Sequence, residues 1–74
     1  MNEIGIRAAA AVRKMALEKG LPLWGETELI GTCYSTMAEW EKGRTTPGGV
    51  ILANMLRRGY DVNYILLGSK NNEN

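Results

Sequence analysis

Residues 21–47, LPLWGETELIGTCYSTMAEWEKGRTTP, decide how this chain folds. Pro22, with its fixed φ, suits the first turn of a helix and forbids continuing an earlier one. Leu23, Thr27 and Ile30 share a face, which predicts a short helix over Leu23–Ile30, although Gly25 and the β-branched Thr27 lower its propensity. Gly31 breaks that helix, and Thr32 is the expected N-cap of the next one. There Cys33, Met37 and Trp40 fall at i, i+4 and i+7 and are expected to face inward. Tyr34, Ser35, Ala38, Glu39 and Lys42 fall on the opposite side, and Gly43 ends the helix. Two short helices thus meet at a glycine, the second polar outside and anchored inside, which is the specification of a helix-turn-helix.

On the N-terminal side, residues 2–19 contain no proline and are rich in good helix formers. Ile4, Ala8, Val12 and Met15 form one stripe, Gly5 weakens the first turn, and Gly20 supplies the stop. On the C-terminal side, Thr46-Pro47 reads as an N-cap followed by proline at the first helical position. Ile51, Leu52, Met55 and Leu56 form the apolar face of that fourth helix, which Gly59 stops. Asp61 caps a last helix with Val62, Ile65 and Leu66 inward and Gly68 at its end. No strand-period alternation and no repeat stands out. The expected fold is all-α, a compact bundle of five short helices over residues 1–68, with residues 69–74 a disordered polar tail.

Composition bounds function. Seventy-four residues make one domain, 45% hydrophobic and 23% charged, as in an ordinary soluble globular chain. No apolar run approaches the length of a membrane span, and the Ala-rich start lacks the order of a secretory leader. With no histidine and only Cys33, the usual zinc ligand sets cannot form within one chain and the commonest general base is missing. An enzyme is not expected, nor a cofactor. So short a chain, without disulfides or metal, needs close helix packing and a partner subunit, so a homodimer is expected.

At this point the sequence resembles the phage repressor and Cro-like helix-turn-helix domains. The matching residues are Gly20-Leu21, Ile30-Gly31, Ser35-Thr36-Met37, Trp40-Glu41-Lys42-Gly43-Arg44 and Thr46-Pro47. The stretch from Gly59 to Gly68, GYDVNYILLG, is similar to the last helix of CI-type repressor N-terminal domains. Together these cover about residues 8–68. The resemblance implies a lambda-repressor-like fold and a transcriptional regulator that occupies a palindromic operator as a dimer, in the cytoplasm of a bacterial or phage-infected cell. It implies base reading by Tyr34, Ser35, Ala38 and Glu39. It places Lys42, Arg44, Thr45 and Thr46 in the phosphate-facing loop, and Leu23 where a helix N-terminus offers an N–H to phosphate. The sequence departs from the family at Leu23, Glu26, Thr27 and Thr32, and at Ala16, where many members carry an arginine that pairs with the glutamate matching Glu41. Glu41 must therefore find Arg13, Arg44 or another cation, or remain solvated.

Several residues have two readings. Met37 and Trp40 are core anchors first. Tyr34 is either a base or methyl reader or an exposed aromatic, and Glu39 either reads a base or is solvated. Cys33 is a half-buried filler or, with a lowered pKa at a helix N-terminus, a redox switch. Arg57 and Arg58 complement a helix dipole or touch phosphate. Tyr60, Tyr64 and Leu67 either form a dimer surface or close the core. A protein-interaction module, such as an antirepressor or antitoxin, is the rival from a different class, because the motif is acidic.

The net charge of +1 hides a segregation. Residues 1–20 carry +2, residues 21–41 carry −4 from Glu26, Glu28, Glu39 and Glu41, and residues 42–58 carry +4 from Lys42, Arg44, Arg57 and Arg58; the rest carry −1. Phosphate neutralisation then falls to Lys42, Arg44 and Arg13 or Lys14. The expected salt dependence of DNA binding is modest, from a few phosphate contacts per subunit; a log–log slope of about ten for the dimer would contradict this.

Overall fold

A computed structural model describes residues 3–69, and every regular element in them is an α-helix. The chain runs α1 (Glu3–Lys19), α2 (Leu23–Leu29), α3 (Tyr34–Glu41), α4 (Gly49–Arg58) and α5 (Val62–Leu67). Residue 2 and most of the expected polar tail, residues 70–74, lie outside the described residues.

The long helix α1 is the spine, packed against α2, α3 and α5. Its inner face is built from small side chains, with Ala8, Ala9, Val12 and Ala16 buried. Of the expected stripe, Ala8 and Val12 are fully covered, while Ile4 and Met15 sit half-buried at its edges. Small residues let neighbouring helices approach, and the volume is filled from the other side by Ile30, Met37, Trp40, Met55, Tyr60 and Ile65.

Gly5 departs from its expected role. It is buried inside α1, and a Cβ there would collide with the carbonyl oxygen of Thr45 and lie 3.0 Å from that of Trp40. Its lack of a side chain is what lets the start of α1 lie against the backbone at the end of α3 and in the loop that follows. Arg7, one turn on, fastens α1 to the far end of the fold. Its Nε donates to the Ile65 carbonyl at 2.9 Å and its guanidinium also reaches the Leu66 carbonyl, a cation at the C-terminal end of α5.

The later helices differ from expectation in detail. α4 starts at Gly49 with Gly48 as N-cap, so Thr46 and Pro47 precede the helix instead of opening it. Pro47 is buried in that non-helical entry, which suits its fixed φ as well as a first helical turn does. The inner face of α4 is Met55 with Ile51 and Leu52, whereas Leu56, a further step round the helix, is 63% exposed. Gly59 stops α4 with φ 106°, and the Tyr60 N–H returns to the Met55 carbonyl at 2.9 Å. Asp61 caps α5 as expected, accepting from the Tyr64 N–H at 3.0 Å. Six residues give α5 one fully buried side chain, Ile65, beside a half-buried Val62; Leu66 lies outward of them.

Gly→Ala inside a helix ordinarily stabilises by about 0.5–1 kcal/mol. Gly5→Ala is expected to do the opposite, lowering stability by about 1–3 kcal/mol as α1 is pushed off α3. The urea midpoint of the variant measures this, and a midpoint raised above that of the parent would refute the close approach.

Candidate functional site

The α2–α3 pair is joined by the Ile30–Gly31 turn. Ile30 is buried in the core, and Gly31 has φ 89°, a left-handed backbone that a side chain would strain. A Cβ at Gly31 would also come within 2.9 Å of the Asn54 amide nitrogen, which donates to the Ile30 carbonyl at 3.2 Å. The turn is therefore set by its own backbone and by a side chain from α4.

Cys33, and not Thr32, occupies the N-cap position of α3, with φ −136° and ψ 167° and no side-chain cap. Cys33 thus precedes the helix in extended backbone and does not share the helical phase of Met37 and Trp40. It is exposed where an inward position was expected. Its thiol lies 3.3 Å from Ser35 Oγ and 3.4 Å from Thr36 Oγ1, and these hydroxyls hold it down to about 7.

From α3 onward, Met37 and Trp40 are buried as expected and fix the helix from beneath. Of the four residues assigned to base reading, Tyr34 and Ser35 are exposed and Ala38 and Glu39 half-buried, all on the α3 segment. Lys42, Arg44, Thr45 and Thr46 are exposed immediately beyond it. Leu23 is the first residue of α2, where helix N–H groups lack intrahelical acceptors. Arg13 and Lys14 are exposed on α1.

The acidic block over the motif is largely paired. Glu41 takes a two-pronged contact from Arg13, Nε to Oε2 at 2.5 Å and Nη2 to Oε1 at 2.9 Å, which settles where the partner missing at Ala16 is found. Those hydrogen bonds hold Glu41 below the usual carboxylate range. Glu39 lies between two cations, 3.4 Å from Arg44 and 3.7 Å from Lys42. Glu28 is exposed and forms no ion pair among the described residues.

Glu26, a charged residue counted above with the acidic block, stands in the core. It is fully buried on α2, receiving Arg58 at 2.7 and 3.1 Å and the Tyr60 hydroxyl at 2.7 Å. A signal was present: Leu23, Glu26, Thr27 and Ile30 follow i, i+3, i+4 and i+7, so Glu26 fills an inward slot, and an Arg pair follows at residues 57–58. Two expectations are corrected as a result. Arg58 reaches back to α2 instead of only complementing the end of α4. Tyr60 is 5% exposed with its hydroxyl committed to Glu26, so it closes the core and is not a dimer surface. Tyr64 and Leu67 remain outward, Leu67 at 74% exposure.

Burial pushes the Glu26 carboxyl up, but hydrogen bonds from Arg58 and Tyr60 outweigh it and leave the group below its ordinary value. The same neighbourhood pushes the Tyr60 hydroxyl well up, through burial first and the Glu26 contact second.

Comparison with models of protein families, with curated proteins and with solved structures finds no match to this chain. No helix among the described residues is long and apolar enough to cross a membrane.

A depressed carboxyl contributes stability above its unfolded pKa, about 4.3 for glutamate, and loses it as pH falls through the lower folded value. Unfolding free energy of the parent should therefore fall as pH drops below about 4.5. Glu26→Gln should flatten that fall, and Glu26→Ala should cost about 1–3 kcal/mol at neutral pH by leaving the buried Tyr60 hydroxyl without an acceptor. Denaturant titrations from pH 7 to pH 2.5 test both, and an acid limb equally steep in Glu26→Gln would remove Glu26 as its source.

Proposed function

We propose that the chain is a sequence-specific double-stranded DNA-binding regulator of the phage repressor type, which acts by occupying a palindromic operator as a homodimer. The observation that carries the reading is α3 itself: a short helix locked from beneath by Met37 and Trp40, with Tyr34 and Ser35 at its exposed start and Lys42 and Arg44 just beyond its end. A rigid helix with a polar exposed side suits a major groove, and the cations just beyond its C-terminal end suit the adjoining phosphates.

In this reading Tyr34, Ser35, Ala38 and Glu39 meet base edges. Lys42, Arg44, Thr45 and Thr46 follow the backbone of one strand, with the first N–H groups of α2 at Leu23 near the other; Lys14 lines the groove between α1 and α5 with Tyr64 and Ile65 and takes no part. Arg13 contributes by holding Glu41, so the helix end does not present an uncompensated anion. Dimerisation falls to the apolar outer side of α5, where Tyr64, Leu66 and Leu67 are all more than a third exposed. Two copies would place their α3 helices about 34 Å apart on one face of the duplex, and occupancy would exclude polymerase.

A protein-binding module has one observation in its favour, the exposure of Trp24 and Leu29 on α2. Selection of duplexes from a random library, repeated across salt concentrations, separates the two readings. A palindromic consensus is expected, with Tyr34→Ala and Ser35→Ala each weakening it by about 5–100-fold at one position per half-site, as loss of a base contact does. No enrichment even at low salt would sink the DNA reading. Light scattering should give a dimer that Leu67→Lys converts to monomer; a dimer unaffected by that change places the interface elsewhere.

A further inference from the structure

We propose that Glu39 is a specificity-determining residue that links phosphate contact to base reading by exchanging partners, an inference that rests on the DNA-binding reading above. Its carboxylate is shared: Oε1 faces Arg44 at 3.4 Å and Oε2 faces Lys42 at 3.7 Å. Both distances exceed those of tight charge-assisted hydrogen bonds, and all three side chains are more than a third exposed. Ion pairs of this length and exposure are weak and easily exchanged. The other paired glutamates of the motif are held differently, Glu41 by a two-pronged arginine and Glu26 in the core. Among the glutamates of this face, Glu39 is the one poised to give up its cations.

The backbone confines the exchange to side chains. The Arg44 N–H donates to the Glu39 carbonyl at 3.0 Å and the Lys42 N–H to the Ala38 carbonyl at 3.2 Å, so the turn after α3 is fixed while the two cationic tips are free to swing. Phosphate oxygens on a docked duplex compete for those tips. Once they leave, Glu39 faces the groove as an anion without a partner. That state is tolerable where a base offers an amino donor, as cytosine N4 does, and costly elsewhere. Glu39 therefore weakens binding to every sequence but weakens the cognate one least, which is discrimination by repulsion.

Binding of fluorescent duplexes carrying the selected consensus and a scrambled sequence is measured across salt for the parent, Glu39→Gln and Glu28→Gln. Glu28→Gln removes the same charge from an exposed position without an ion pair among the described residues, and so reports the general field effect. Glu39→Gln is expected to raise scrambled-sequence affinity several-fold and to steepen the salt slope by about one per subunit. It should also lower the consensus-to-scrambled ratio at least tenfold and shift selection at one position per half-site from cytosine towards adenine, whose edge suits glutamine. Glu28→Gln is expected to leave the ratio unchanged. If the parent enriches a consensus but the two variants alter affinity alike and keep its ratio, the exchange is refuted while the DNA reading stands. If the parent enriches nothing at any salt, both fall together. Thermal melts of the free proteins confirm that the exposed substitutions leave the fold intact.

Discussion

Everything presented by α3 depends on how closely α1 can approach it. Trp40 is buried among the alanines of α1, and the backbone that follows runs so near Gly5 that no side chain fits between. This contact sets the depth of α3 and the path of residues 42–46 together, because Trp40 and Thr45 lie on either side of the turn that carries Lys42 and Arg44. Hydrophobic burial alone would not fix such a position, since apolar contact is non-directional. A backbone-to-backbone approach does, because it leaves no side-chain rotamer through which the helices can readjust.

The second fixture is polar. Glu26 links α2 to the end of α4 and to Tyr60, while Asn54 of α4 holds the carbonyl at the α2–α3 turn. A buried ion pair contributes little net stability over an apolar substitute, because both charges must leave water, but breaking it is costly. Its value here is geometric. The carboxylate accepts in fixed directions from a guanidinium and a phenol, so α2 can dock in one orientation only. With α1 beneath and the Asn54 and Arg58 contacts from α4 behind, the two-helix unit has little freedom left.

The helices were largely legible in the sequence because their signals are local: glycines 20, 31, 43, 59 and 68 all adopt positive φ, and Asp61 caps as its type predicts. The inward anchors Met37 and Trp40 were legible from spacing for the same reason. What local signals cannot carry is phase at the helix ends. Cys33 shares a spacing with Met37 and Trp40 but lies one residue outside the helix, so the periodic argument did not apply to it. Pro47 likewise fits two backbone settings equally well. Pairings across 28 to 34 residues, Arg13 with Glu41 and Glu26 with Arg58 and Tyr60, depend on tertiary arrangement, and the sequence could name only candidates for the first. Gly5 looks like a mere weak first turn in the sequence because its reason for being glycine lies on another segment.

These pairings also alter what the charge pattern means. Read along the chain, four glutamates over the motif oppose any polyanion. In three dimensions one of them is buried, one is clasped by Arg13, and one sits between the two cations nearest the end of α3. The face is therefore a set of local dipoles more than a negative patch; Lys42, Arg44 and Arg58 of the +4 segment supply the partners of Glu39 and Glu26, and Arg13 of α1 supplies that of Glu41. A surface so nearly neutralised gains little from long-range attraction. In the proposed DNA reading such a surface would discriminate at contact, where the cost of each exchanged partner depends on what the opposing surface offers. The near-zero net charge is thus consistent with the proposed exchange, in which selectivity would arise from the order in which these ion pairs give way.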